Sequence, residues 1–416
     1  MPEGIGRREF CGKALGASAA VALGMNSSDT SHETQPAHSI GAVTSRVVSE
    51  SSDITHIIVY HEVGKFLGWP ANNGAWTSDG VNMLVGFTYG NYQLQKGHNI
   101  SGRLSSWLAR SNDMGQTWTA WDPEGYVGDF DLSRNKKTLT NPIDFSHPQF
   151  VMRIVGTGYH GANDSSAHFF YSYDLGRTWN GPYAFGTDDI RRWPQLRAAY
   201  GDDAELELTP RTDYIVEGPN SLLVFMSVRR VGGGFTDKLF CIRTTDGGLT
   251  WHWVGWVVPP SDPYRAVMSQ TVRLKSGKLI SAIRRRSGSN CWIDAYVSTD
   301  NGKTWTFLSK IADTGDGSTN GNPPALNITT NGRLVAVFGY RNKPYSIRVA
   351  YSDDEGKTWS EPVILRDDYW AEDMEPDLGY PRLLRRKDGK MIAIYYWSTK
   401  EHLHHIAATI WDAERM

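Results

Sequence analysis

The sequence predicts an all-β protein assembled from repeated four-stranded sheets, and three observations carry that expectation. An octapeptide of the form Ser/Thr-x-Asp-x-Gly-x-Thr-Trp recurs five times, as SNDMGQTW from Ser111, SYDLGRTW from Ser172, TTDGGLTW from Thr244, STDNGKTW from Ser298 and SDDEGKTW from Ser352. Successive copies start 54 to 72 residues apart, which is the length of one four-stranded unit with its loops. Between copies the chain runs strand after strand, apolar segments separated by short turns such as Ser78-Asp79-Gly80, Pro219-Asn220, Ser276-Gly277, Asn331-Gly332 and Asp388-Gly389. Each octapeptide makes sense as a tight hairpin. The Asp carboxylate accepts from backbone N–H groups further on, and Gly supplies a positive φ without steric cost. Thr and Trp then open the next strand, with the indole packing back over the turn.

The repeat resembles the Asp-box, or BNR repeat, of the sialidase superfamily. That resemblance implies a six-bladed β-propeller of sialidase type, with the boxes joining the third and fourth strands of blades on the face away from the ligand. The boxes therefore point to the fold and not to the chemistry.

In chain order, Arg7-Arg8-Glu9-Phe10-Cys11-Gly12-Lys13 precedes a weakly apolar stretch, Ala14 to Gly24, and resembles a twin-arginine export signal. Residues 1–25 are read as that signal, and an exported, periplasmic or extracellular protein is expected. Residues 26–53 are rich in Ser, Thr and His without periodicity and are expected to form a disordered linker. The propeller is expected over 54–416. Blade openings are read at Gly74-Ala75-Trp76, Phe150-Val151, Tyr214-Ile215-Val216, Thr271-Val272, Ala325-Leu326 and Pro381-Arg382-Leu383, six openings against five boxes. The sixth blade ends in Ile406 to Trp411 with no box, and the N-terminal run Thr55 to Tyr60 can supply its fourth strand and close the ring. Cys241 and Cys291 sit at different distances from their boxes, so two buried free thiols are expected.

Composition narrows the partners. Lys+Arg 43 against Asp+Glu 45 gives no basic face for nucleic acid. No apolar run approaches the roughly 18 residues that span a bilayer. The 16 Trp and 19 Tyr suit stacking on sugars, so an acidic oligo- or polysaccharide is the expected partner. No cofactor or metal is expected: His402, His404 and His405 lack a neighbouring carboxylate and are read as solvated histidines.

The resemblance extends to candidate site residues. Tyr380-Pro381-Arg382-Leu383, followed by Lys387-Asp388-Gly389-Lys390, looks like the sialidase stretch that begins with the nucleophilic Tyr. A neutral phenol meets an anionic substrate without repulsion once its proton is accepted nearby. Thr271-Val272-Arg273-Leu274 with Ser276-Gly277-Lys278 resembles the segment that delivers an arginine of the sialidase triad, here Arg284. Arg341 and Arg382 are further candidates for a sugar carboxylate, which an Arg fork binds bidentately. Arg285 and Arg286 are read as ordinary solvated charges.

The pattern departs from the family at three places. Gly68-Trp69-Pro70 stands where sialidases carry Arg-Ile-Pro, leaving Trp69 as a candidate sugar contact. The carboxylate partner of Tyr falls at about Met268. The loop from Asn91 to Ser106, where the acid/base is sought, contains no Asp. Asp377 and Glu375 are therefore considered as supporting carboxylates. His147 is expected on the functional face at the entry to blade two, with His160 topping that blade, while Arg211 enters blade three and Asn322 blade five. Three functions follow: a glycoside hydrolase of sialidase type acting on an acidic glycan, a polysaccharide lyase cleaving a uronate-containing glycan by β-elimination, or a non-catalytic glycan-binding propeller.

Overall fold

Antiparallel pairing between sequence neighbours builds six sheets in the computed structural model, which describes residues 46–50, 54–95, 97–124, 126, 136–156, 165–316, 321–371 and 376–416. The sheets are the blades of a six-bladed β-propeller. Blade four shows the plain form, with strands Arg265–Arg273, Leu279–Ser287, Asn290–Ser298 and Thr306–Asp316 in simple meander order. Blade five repeats it over Ala325–Ile328, Leu334–Tyr340, Ser346–Ser352 and Val363–Arg366. The middle strands of blade six, Met391–Trp397 and His405–Trp411, are buried along their whole length. Both faces of such a strand meet a neighbouring blade, so it is apolar at nearly every position instead of alternating.

The ring closes as the sequence leads one to expect. Strand Ile54–Tyr60 pairs with His405–Trp411 and completes the sheet begun by Gly379–Arg385 and Met391–Trp397. One expectation is corrected here. The segment read as a linker over 26–53 contributes a strand, Arg46–Glu50, on the outer edge of Ile54–Tyr60. The export signal expected over residues 1–25 lies outside the described residues.

All five octapeptides form the same turn. Ser352 Oγ donates to Asp354 Oδ1 at 2.9 Å and accepts from Gly356 N at 2.9 Å. Asp354 in turn accepts from Thr358 N at 2.9 Å and from the Thr358 hydroxyl at 2.7 Å. Those donors lower the Asp354 pKa to about 2. The residue before the glycine is also left-handed, with φ 62° at Met114, 52° at Leu175 and 61° at Glu355, so Gly is obligatory at only the second of two such positions. Asp354→Ala is expected to destabilise the chain by about 1–2 kcal/mol, as for other lost Asx caps, without changing affinity for the ligand expected at the opposite face. A folded mutant that lost affinity at an unchanged melting temperature would reverse the assignment of faces. The sign of the pH effect follows from the depressed pKa: the turn's stabilisation is present above about pH 4 and is lost as pH falls towards 2.

Blade two departs from the plan. Its described sheet has three strands, Val151–Val155, His168–Ser172 and Asn180–Ala184, and the octapeptide turn joins the last two. In the other boxed blades this turn joins the third and fourth strands, so Val151–Val155 is a second strand and not the opening one. It therefore starts on the face that carries the octapeptide turns, and this reverses the expected position of His147.

Candidate active site

Two inner strands break from regular pairing near the opposite face, and these breaks build the site. In blade four the register with Leu279–Ser287 slips by one residue between Val267 and Gln270, with Met268 at φ 56°. In blade six it slips in the same way between Gly379 and Arg382, with Tyr380 at φ 47°. Left-handed backbone at a Met or Tyr is strained and persists only where the surroundings enforce it. At Tyr380 the enforcement is visible. Asn322 Oδ1 accepts from Tyr380 N at 2.8 Å while its amide donates to Leu378 O at 2.9 Å. Gly379 is required beside it, since a Cβ there would lie 2.5 Å from Asn322 Oδ1.

The two bulges converge on one guanidinium. Arg284 donates to the Tyr380 hydroxyl at 3.1 Å, and the same Nη1 lies 3.3 Å from Met268 Sδ. Arg341 stands beside it, 5.5 Å from the Tyr380 ring centre, donating to Leu378 O at 2.8 Å and to the Tyr396 hydroxyl at 2.8 Å. Burial opposes ionisation of Tyr380, but Arg284, Arg341 and then His98 outweigh it and bring its pKa down to about 7.

A second group adjoins the phenol. Asp377 lies in the connection entering blade six, and His98 Nδ1 donates to its Oδ1 at 2.9 Å. The Tyr396 hydroxyl also donates to Oδ1 in a close contact, and Asn99 N donates to Oδ2 at 3.3 Å. The Asp377 side chain is 1% exposed and that of His98 32% exposed, so the imidazole fronts a carboxylate hidden behind it. Burial works against the Asp377 charge, yet His98 and Arg341 hold its pKa well below the usual carboxylate range. Burial likewise works against a charged His98, and Asp377 outweighs it, so the His98 pKa is raised. An ionised carboxylate only accepts, so Nδ1 carries a hydrogen and the proton exchanged on titration is the one on Nε2. Trp69 presses on this imidazole edge-on at 4.7 Å, and Asn99 donates its amide to His404 Nε2 at 3.0 Å.

Of the residues singled out from the sequence, Tyr380, Asp377, Arg284 and Arg341 meet here. Glu375 and His160 lie outside the described residues. The others go elsewhere. His147 is on the octapeptide face, packed on Tyr173 at 4.8 Å, because blade two begins one strand later than expected. Arg382 is a cross-tie inside the channel, donating to Ala71 O at 2.5 Å, Thr212 O at 2.7 Å and closely to Gln270 Oε1. Arg211 is turned to Asn72 Oδ1 at 3.1 Å and Pro210 O at 2.8 Å. Asn322 positions the Tyr380 backbone, as above, and Trp69 is buried as the wall behind His98. Arg285 is no solvated charge but a buried one, paired with Asp262 at 2.7 Å and Asp294 at 3.1 Å. His404 and His405 are buried as well.

Sequence reasoning missed His98, Asn99 and Tyr396. His98 sits in the very loop that was searched for an Asp, so a titratable residue of another type was the available signal. Among the described residues no group of His, Cys, Asp and Glu is arranged to hold a metal ion.

This fold, with a tyrosine flanked by two arginines at the mouth opposite the repeated turns, defines a sialidase-superfamily propeller. The profile of the family described as "BNR repeat-like domain" matches residues 104–394, and the chain belongs to that family. A sialidase of Paraclostridium sordellii is 32% identical over 88 residues, 18% of this chain, and the chain spans only 22% of that protein's length. Among solved structures, a Dyadobacter fermentans protein of unknown function superposes with TM-score 0.63 at 17% identity, covering 88% of this chain and 99% of that one. A Penicillium chrysogenum α-L-arabinanase, complexed with arabinobiose, gives 0.56 at 14% identity over 88% of this chain and 100% of its own. A Hadza microbial sialidase gives 0.53 at 17% identity over 86% of this chain and 67% of its own. At these identities the structural likeness concerns the fold alone.

Proposed function

We propose that the chain is a glycoside hydrolase of sialidase type, exported from the cytoplasm, that acts on a carboxylate-bearing glycan. The observation that carries this reading is the juxtaposition of Tyr380, activated by Arg284 and Arg341, with the His98–Asp377 pair. Two cationic groups beside a phenol favour an anionic substrate. They also do the work of the missing base: where the family pattern has a carboxylate, Met268 stands, and the phenol is instead ionised by charge.

The steps then follow from the geometry. The Tyr380 phenolate attacks the anomeric carbon while the bond to the leaving oxygen breaks, and His98 Nε2–H transfers its proton to that oxygen. Asp377 stays ionised and holds the imidazole in the tautomer that permits this. Water then gives a proton back to His98 and attacks the same carbon, releasing the phenolate. The configuration at the anomeric centre is retained.

A second reading, β-elimination from a uronate, is favoured by one observation. Asp377, the carboxylate that touches this cluster among the described residues, is held ionised and so is no general acid. In that reading Tyr380 removes the proton next to the carboxylate and His98 protonates the departing oxygen. Absorbance of an unsaturated uronate product reports elimination, and a saturated reducing end without it reports hydrolysis.

Either chemistry requires an acidic phenol. Titration followed by tyrosinate absorbance is expected to show one group ionising at about pH 7, absent in Tyr380→Phe. Turnover should rise through the same pH and fall again as His98 loses its proton above its raised pKa. If no tyrosinate formed until the ordinary range near pH 10, charge activation would be wrong.

A further inference from the structure

We propose that Asp213 is a positioning residue for the Tyr380 phenol. From blade three it holds the Met268 bulge of blade four, and through Gln270 and Arg382 it holds the Tyr380 bulge of blade six. The role rests on the reading above, in which that phenol is the reacting group. Asp213 directly precedes the inner strand of blade three, Tyr214–Gly218, and its carboxylate crosses to the residues that follow Met268. Ser269 Oγ donates to Oδ2 at 2.6 Å, the Thr271 hydroxyl donates to Oδ2 at 3.0 Å, and Thr271 N donates to Oδ1 at 3.1 Å. A bulge disrupts the local ladder, so bonds from outside the sheet fix the residues beside it. Gln270 extends the link. Its amide nitrogen lies 3.5 Å from Asp213 Oδ1, while its Oε1 accepts the close bond from Arg382. Arg382 stands at the far end of the second slip, two residues beyond Tyr380, and also grips the carbonyl of Thr212, the neighbour of Asp213. Asp213, Gln270, Thr271 and Arg382 line one cavity in the channel. The two bulges that meet on Arg284 are thus tied together by one carboxylate, one amide and one guanidinium.

Stability alone does not account for this carboxylate. Asp213 is 2% exposed, and burial raises its pKa to about 6, against the bonds from Ser269 and Thr271 and the charge of Arg382. A carboxylate whose pKa is raised on folding costs stability as pH rises from about 4 through 6. At neutral pH the chain therefore carries a buried charge that an apolar residue would spare it, and what the charge supplies is placement. Direct electrostatics would act on Tyr380 with the opposite sign. A negative group in the channel disfavours the phenolate, so its removal alone would lower the Tyr380 pKa. Lost placement raises that pKa, because Arg284 no longer meets the hydroxyl at 3.1 Å.

The test compares Asp213→Ala and Asp213→Asn with the unaltered full chain by tyrosinate absorbance, using Tyr380→Phe to identify the signal. In Asp213→Ala the midpoint should rise from about pH 7 by about one unit or more. Asp213→Asn should bring it back to about 7 or below, since an amide oxygen still accepts from Thr271 N and the amide NH2 donates to the two hydroxyls. Should Asp213→Ala fail to fold, Ser269→Ala removes one of the bonds, and a rise of about half a unit is expected. A midpoint that stays or falls in the alanine variant that folds, or that rises equally in Asp213→Asn, overturns the role. If the unaltered chain formed no tyrosinate below about pH 10, charge activation would fall, and crystal structures of the variants would decide on placement. Loss of the slip at Met268 in the alanine variant, with the slip kept in Asp213→Asn, then supports the role of Asp213, and a slip kept in both overturns it.

Discussion

Tyr380→Phe is expected to abolish turnover, by several orders of magnitude, while leaving affinity for the proposed acidic glycan within a few-fold of the unaltered chain. The substitution removes the hydroxyl alone. The ring still fills its place against Tyr396 at 6.0 Å, and Asn322 still holds the backbone. Arg284→Ala should behave differently. It deletes a charge-assisted donor worth roughly 1.5–3 kcal/mol to a bound carboxylate, so affinity falls along with rate. It also removes the largest charge acting on Tyr380, and the tyrosinate titration should move up from about pH 7. Near-normal turnover in Tyr380→Phe would mean that the tyrosine only lines the wall.

His98→Ala is expected to lower turnover of natural glycosides by about 10²–10⁴-fold, the usual contribution of a positioned proton donor. The informative comparison is with an aryl glycoside, whose leaving group departs without protonation. On that substrate the loss should shrink to less than about ten-fold. Asp377→Asn should resemble His98→Ala in this contrast, because an amide at that position no longer enforces the reactive tautomer. Equal losses on both substrates would make His98 a structural residue and leave the proton transfer to another group.

How much of this was legible in the sequence follows from how local each signal is. The octapeptide turn closes within eight residues, from Ser352 to Trp359, and the bonds among Ser352, Asp354, Gly356 and Thr358 that shape it are internal, so the residues alone announce it and hence the ring. Tyr380, Arg284 and Arg341 were found because each lies in a short stretch with its own pattern. His98 owes its role to Asp377, 279 residues away, and nothing around it in the chain shows that approach. His147 was read from the count of strands, and one irregular blade is enough to invert such a count. Arg382 illustrates another limit: an arginine that grips backbone carbonyls and one that awaits a ligand look the same until their neighbours are known.

Blade six holds Tyr380, Tyr396 and the strand before which His404 turns, and it is the blade made from both ends of the described propeller. Its closing contact, from His56 Nδ1 to the Thr409 hydroxyl at 2.9 Å, joins residues 353 positions apart. Loops of that length are slow to close, and a chain still being synthesised has not yet made the strand that Ile54–Tyr60 must join. Until His405–Trp411 arrives, Met391–Trp397 has no partner on that side and Asn99 has no His404 to meet. The nascent protein thus carries its first five blades before the candidate site exists, and the groups of that site meet only when the ring closes.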